Sequence, residues 1–300
     1  MKRGIAGAAL LALALPLPAR AEHVEGRMGR LRVIADTALA RPGGILVVEL
    51  RTSGRLGTAY ALFEGRRSPV FWGPAGLRAL VPIPATTPPG GAQLGIEVMA
   101  RRGVQRLQMR FEIGERAFGE RALRLSDEKL SMLEDPAGLR DGRRLMQALR
   151  VLTPSLRFSG PFRSPTPVPP TQSYGLRVAS TGPIPVETRM DGGLGSHHRG
   201  LDYVVAPGSL VLAPAGGAVV FAAPLLLTGQ TLVIDHGQGL VSALCHLARL
   251  DVVAGDSVMQ GAVIGVSGDS GIAERPHVHW AVYLHGIPVD PEAVMTLFGS

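Results

Sequence analysis

A long apolar stretch of this chain, Tyr203 to Ile234, is cut by Pro207, Pro214 and Pro224 and by the pair Gly216-Gly217. Each interval between these breaks falls well short of the roughly 20 apolar residues that a membrane-spanning helix requires. Proline inside a helix also removes a hydrogen bond and clashes with the preceding turn. The stretch therefore reads as short buried strands joined by tight turns: Leu210 to Leu212, Ala218 to Ala222 and Thr231 to Asp235.

The same punctuation governs the N-terminal part. From about Arg30 to Ile113, apolar and polar residues alternate in short runs such as Ile45 to Leu50, Gln93 to Val98 and Arg106 to Ile113. Turn signals separate them, including Pro42-Gly43-Gly44 and Pro88-Pro89-Gly90-Gly91. That spacing predicts a small all-β sandwich of immunoglobulin-like type. Beyond it, Asp135 followed by Pro136 is the signature of an N-cap with a first-turn proline, and predicts a helix to about Arg150. The proline-rich stretch from Pro161 to Pro170 reads as a semi-rigid spacer. The chain is expected to be mainly β, in four parts: a leader at 1–21, a β-sandwich at 22–115, a helical and Pro-rich linker at 116–170, and a C-terminal antiparallel-β domain at 171–300.

The leader has the pattern of a secretory signal peptide: Lys2 and Arg3, an apolar run from Ile5 to Leu17, and the small-x-small site Ala19-Arg20-Ala21. A mature chain beginning at Glu22, periplasmic or secreted and with no transmembrane segment, is the expectation. No cysteine follows the apolar run, which argues against a lipoprotein anchor, and the single cysteine, Cys245, leaves no intramolecular disulfide. Losing Lys2, Arg3 and Arg20 lowers the formal charge from +7 to +4. Residues 155–300 carry seven Arg against ten Asp or Glu, so the basic excess lies in the N-terminal half. A solvated basic face is the preferred reading of that excess, ahead of a surface for an anionic polymer or membrane. No nucleic-acid partner is expected of an exported chain.

Histidine is distributed unevenly. Of eight histidines, seven fall between His197 and His285, among β-type segments. Residues 198 to 202 read His-Arg-Gly-Leu-Asp and 277 to 279 read His-Val-His. A hydrolytic zinc site commonly has three protein ligands from His, Asp, Glu and Cys, with the fourth position left to water. His198, Asp202 and one of His277 and His279 would supply such a set. Residues two apart on a strand share a face, so His277 and His279 are expected side by side, one on the metal and one on substrate or water. His246, in Ala-Leu-Cys-His-Leu, makes a fourth member. His197 reads as a loop residue, and His236 and His285 as structural residues at turns. Cys245 is expected buried, on the strand face opposite His246.

Several segments then occur in a recognisable order. They are Ser173-Tyr174-Gly175-Leu176-Arg177, His198-Arg199-Gly200-Leu201-Asp202, Val211-Leu212-Ala213-Pro214 with Gly216-Gly217, and Ile234-Asp235-His236-Gly237. His246-Leu247, Pro276-His277-Val278-His279-Trp280 and Val289-Asp290-Pro291 complete the series. From about Phe162 to Pro291 the chain resembles the lysostaphin/LytM-type zinc endopeptidases that cut peptide cross-links in peptidoglycan. The resemblance implies a LytM-type metallopeptidase domain with Zn2+ held by His198, Asp202 and His279, and with His246 and His277 as the two catalytic histidines. Where such relatives carry Thr-Gly before the Pro-His-x-His element this chain has Glu274-Arg275, and where they often carry an aromatic residue two before the catalytic histidine it has Leu244. Both changes bear on specificity, Leu244 by removing a hydroxyl from the substrate groove.

The run Val252-x-x-Gly255-Asp256-x-Val258-x-x-Gly261-x-x-Ile264-Gly265 is also seen in biotinyl and lipoyl carriers. Such a carrier needs an acceptor lysine in its hairpin, and the only lysines here are Lys2 and Lys129. The expectation is a zinc metalloendopeptidase acting on peptidoglycan cross-links. The rival is a non-catalytic peptidoglycan-binding protein or activator of other wall hydrolases. A further reading, compatible with either, has the N-terminal domain or the stretch from Val178 to Ser196 cover the groove until a regulatory protein partner moves it.

Overall fold

Alternation in the N-terminal third resolves into nine strands: β1 (His23–Met28), β2 (Leu31–Asp36), β3 (Ile45–Arg51), β4 (Ala59–Phe63), β5 (Arg66–Pro69), β6 (Phe71–Gly73), β7 (Gly76–Pro82), β8 (Gly90–Ala100) and β9 (Gly103–Ile113). The computed structural model describes residues 23–100, 103–123, 126–180 and 197–299. The segment read as a signal peptide, with its Ala21 site, and residues 181–196 of the stretch read as a groove cover lie outside the described residues.

Two antiparallel sheets, ordered β1-β2-β3-β7-β6 and β5-β4-β8-β9, face each other. The period-2 alternation places Val33, Ala35, Leu46, Val48 and Leu50 of one sheet against Ala61, Phe63, Leu94, Ile96 and Phe111 of the other, all buried. This is the β-sandwich expected from the spacing of turns.

The connecting region holds β10 (Glu120–Leu123), α1 (Asp127–Glu134) and α2 (Pro136–Leu149). Ser126 caps α1, and Asp135 caps α2 by accepting the Ala137 N–H at 2.7 Å, with Pro136 in the first turn. Helix α2 buries Leu145, Met146 and Leu149 against Val233, Val241, Ala243, Ala281 and Tyr283. The proline-rich stretch does not stand off as a spacer. Phe162 is buried in the C-terminal core, Arg163 N–H donates to Pro214 O at 2.9 Å, and Pro165 O accepts from Leu212 N–H at 2.9 Å. Composition marks proline as extended; it does not reveal that an aromatic within the run anchors it to a sheet.

The remaining elements are β11 (Arg177–Ser180), which runs parallel to β10, then β12 (Gly200–Tyr203), β13 (Leu210–Leu212), β14 (Gly217–Leu225), β15 (Gly229–Gly237), β16 (Leu240–Leu250), β17 (Ser257–Val258), β18 (Val263–Ser267), β19 (Val278–Leu284), β20 (Ile287–Val289) and α3 (Pro291–Leu297). Strands β12 to β20 form one antiparallel sheet whose main path is β12-β19-β16-β15-β14-β17. One face of β16 and β19, with Leu240, Leu244, Trp280, Val282 and Leu284, builds the larger core. The other face is covered along part of its length by α2. Among the described residues no helix is long and apolar enough to cross a membrane.

Sandwich and C-terminal sheet share a core, since Ile45 and Leu80 pack with Tyr174, Leu284 and Val289. Polar contacts fasten the same seam. Arg116 Nη2 donates to the fully buried Asp290 Oδ2 at 2.6 Å, Asp290 N–H donates to Gly43 O at 2.8 Å, and His285 Nε2–H donates to Leu80 O at 3.1 Å.

Candidate metal centre

Register creates the site. Antiparallel pairing of β12 with β19 sets Asp202 opposite His279, and cross-strand partners present their side chains on one face. The neighbours Leu201, Tyr203, Val278 and Trp280 take the other face and are fully buried. Gly200 permits this pairing: a Cβ there would lie 2.2 Å from the Trp280 carbonyl oxygen. The glycine of His-Arg-Gly-Leu-Asp is thus required by close backbone approach.

His198 precedes β12 and is held at its backbone, donating from N–H to Leu176 O and accepting from Gly175 N–H, both at 2.7 Å. Its ring Nδ1–H donates to Ser173 O at 2.8 Å. A carbonyl can only accept, so the neutral ring turns the Nε2 lone pair inward. That atom lies 2.9 Å from Asp202 Oδ1 and 3.1 Å from His279 Nδ1, and His279 Nδ1 lies 2.8 Å from the same oxygen. Burial acts to raise the Asp202 carboxyl, but the close approach of the His198 and His279 rings outweighs it and holds the group well below its usual range. Burial lowers His279. A carboxylate and two imidazoles converging this closely, with the outer nitrogen of one fixed as a donor elsewhere, suit a cation. The His₂Asp donor set fits a three-ligand site with an open position.

His246 and His277 stand beside this cluster, their ring centroids 4.7 Å apart. Nδ1–H of His246 donates to Ser270 O at 2.9 Å and Nδ1–H of His277 to Arg275 O at 2.8 Å. Both rings therefore carry the tautomer that leaves Nε2 as an acceptor, and His277 Nε2 is 3.8 Å from Asp202 Oδ1. Burial, and then the nearby His277 and His279, push His246 down to about 3. The rings border an open cleft of about 250 Å³, whose walls also include Gln172, Thr228, Ile272, Glu274 and Arg275. A larger cavity, about 1450 Å³, lies away from these histidines, between the sandwich and residues 152–156.

All five residues singled out by motif come together, His277 and His279 on one face as strand alternation requires. One consequence drawn from the same rule fails. Cys245 is the register partner of His279 and shares its face, while His246 adopts φ 62°. That left-handed residue coincides with a break in strand pairing: His246 N–H donates to Thr228 O at 2.9 Å, and the break sets the ring toward His277. Cys245 is nonetheless buried as expected, and burial raises its thiol to about 12. Leu244 is fully buried among the core residues, so its substitution takes no hydroxyl out of the cleft.

Three other histidines make their contacts outside the cluster. His197 rests edge-on against Phe118 at 5.9 Å. His236 lies in β15 rather than in a turn, fully buried, with Nδ1 bonded to Gly216 O and Nε2 to Ser242 Oγ, each at 2.8 Å. His285 fastens the turn between β19 and β20 to Leu80. Motif reading missed Gln172, which pairs through its backbone with Asp202 and lines the cleft, because glutamine carries no metal-ligand signature.

Residues 196–291 match the profile of Peptidase family M23. Over 98 residues the chain is 35% identical to an uncharacterized metalloprotease of Haemophilus influenzae, covering 32% of this chain and 21% of that protein. Over 93 residues it is 32% identical to the peptidoglycan DD-endopeptidase ShyA of Vibrio cholerae, covering 31% and 22% respectively. The chain thus spans only about a fifth of the length of these curated relatives. A crystal structure assigned to peptidase M23 from Pseudomonas aeruginosa superposes with a TM-score of 0.58 at 28% identity, covering 85% of this chain and 94% of the other. The histidine cluster thus lies within a peptidase M23 domain, residues 196–291.

Proposed function

We propose that this protein is a zinc metalloendopeptidase that hydrolyses peptide cross-links of peptidoglycan, with His198, Asp202 and His279 as metal ligands and His246 and His277 as catalytic histidines. The observation that carries the reading is the convergence of His198 Nε2, His279 Nδ1 and Asp202 Oδ1 within 3.1 Å of one another, beside two histidines whose Nε2 atoms are free to accept. The likeness to a peptidoglycan DD-endopeptidase supports the substrate class. Export directed by the N-terminal segment would bring the enzyme to that substrate.

When bound, zinc polarises the scissile carbonyl and lowers the pKa of its water to about 7. The chain's own residues do the rest. Ser173 O fixes the His198 ring for ligation, and Ser270 O and Arg275 O fix His246 and His277 as acceptors. An Nε2 that takes a proton from water becomes a donor, able to return it to the amide nitrogen as the C–N bond breaks.

Replacing His246 separates binding from chemistry. His246→Ala should keep about one zinc per chain while turnover of a cross-linked muropeptide falls by on the order of 10² to 10⁴. Full activity in that variant would remove His246 from the mechanism, and loss of zinc would make it a ligand.

A further inference from the structure

We propose that Arg275 pairs with a free carboxylate of the substrate peptide beside the scissile bond, so that the cross-links cleaved are those whose flanking residue is acidic rather than amidated. The inference rests on the peptidase reading above and adds to it the charge of the substrate.

The loop that presents Arg275 is fixed on several sides. Ile272 N–H donates to Leu227 O at 2.8 Å, Lys129 Nζ from α1 donates to the carbonyl of the buried Ala273, and His277 N–H donates to Gly268 O at 3.0 Å. Arg275 itself gives its backbone carbonyl to His277 Nδ1, so its side chain departs two residues from a catalytic ring and borders the cleft. It is exposed, and among the described residues it is the only Lys or Arg lining that cleft.

Among the described residues its guanidinium is also unmatched by any carboxylate. Elsewhere in the chain arginines meet carboxylates: Arg32 with Glu25, Arg67 and Arg106 with Glu97, Arg116 with Asp290, and Arg249 with Asp251. Among the described residues no carboxylate pairs with Arg275; of the two acids that line the cleft, Glu274 is its neighbour in sequence and forms no ion pair with it, and Asp202 is engaged with His198 and His279. A planar fork of donors at the wall of a peptide-binding cleft selects a carboxylate, which it can bind through two parallel hydrogen bonds; a carboxamide offers one acceptor and no charge. Because the backbone is fixed, ordering the side chain is the main entropic cost of that contact.

The test uses two cross-linked muropeptides that differ only in a carboxylate or a carboxamide beside the cleaved bond. Cleavage by the zinc-loaded chain and calorimetric binding to the metal-free chain are measured for wild type, Arg275→Gln and Arg275→Lys. Wild type should favour the carboxylate form by about tenfold in kcat/KM and in affinity. Arg275→Gln should bring the two forms together by losing rate on the acidic one, and Arg275→Lys should restore part of the preference. Because the Arg275 carbonyl also holds His277, a rate loss common to both substrates reports on that ring, and the inference is read only from the ratio of the two forms. Equal treatment of both forms by wild type, or an unchanged preference in Arg275→Gln, overturns the inference while leaving the peptidase reading intact. Selective binding without cleavage by wild type leaves Arg275 its ligand and overturns the peptidase reading instead; neither cleavage nor selective binding overturns both.

Discussion

Gly200→Ala probes the link between backbone packing and the site most sharply. The added Cβ would lie 2.2 Å from Trp280 O and 2.7 Å from Trp280 C. That oxygen contact is more than about 1 Å inside the 3.5 to 4.0 Å optimum of non-bonded atoms. Both obstacles are backbone, so no rotamer relieves the clash, and β12 has to move off β19. Overpacking of this kind costs about 1 to 3 kcal/mol, and a backbone obstacle places it at the upper end. At roughly 2 to 4 °C per kcal/mol for a chain of this size, the melting temperature should fall by about 6 to 12 °C. The same movement pulls Asp202 from His279, now 2.8 Å apart two residues along the pair, so zinc affinity should drop with stability. Gly91→Ala is the control: it lies in β8 with only Glu112 Oε1 nearby, at 3.6 Å, and should be neutral or slightly stabilising. Differential scanning calorimetry with zinc titration decides the matter. A Gly200→Ala protein that melts within 2 °C of wild type, or that melts early yet binds zinc unchanged, would refute the reasoning.

Two further perturbations follow from buried charge. Arg116→Met strips the cation from the fully buried Asp290, whose other oxygen caps α3 through Glu292 N–H at 2.9 Å, and should cost about 3 kcal/mol; chemical denaturation should show Asp290→Asn recovering part of this in the double variant. His236 is held neutral by burial, its pKa lowered from 6.5 to about 4, so the unfolded chain binds its proton first. Its contribution is complete above pH 6.5 and is lost as pH falls toward 4, about 3 kcal/mol in all; denaturation curves of His236→Gln should show a flatter dependence over that window, and an unchanged slope would exclude the ring as its source.

The sandwich and the histidine cluster were legible because each is written in a short-range code. Period-2 alternation between glycine and proline turns delimits β3, β8 and β9, and residue chemistry at fixed spacing marks His198, Asp202, His277 and His279. What was not legible depends on departures from regular geometry or on contacts distant in sequence. The alternation rule sends Cys245 and His246 to opposite faces of an ideal strand, and no sequence signal marks the left-handed φ that breaks it. Leu244 resembles a groove substitution until register sets it against Trp280 in the core. The Arg116 to Asp290 contact joins residues 174 positions apart, and nothing local to either one announces it.

The proposed chemistry of this site is the cutting of peptide cross-links with a bound metal. Mass-spectrometric muropeptide analysis of purified cross-linked sacculi, incubated with the wild-type chain, with His279→Ala and with wild type plus chelator, tests it directly. Cross-linked dimers should be lost with wild type alone, and the mass of the products identifies the bond. An unchanged profile with the zinc-loaded wild type, or equal cleavage by His279→Ala, would contradict it.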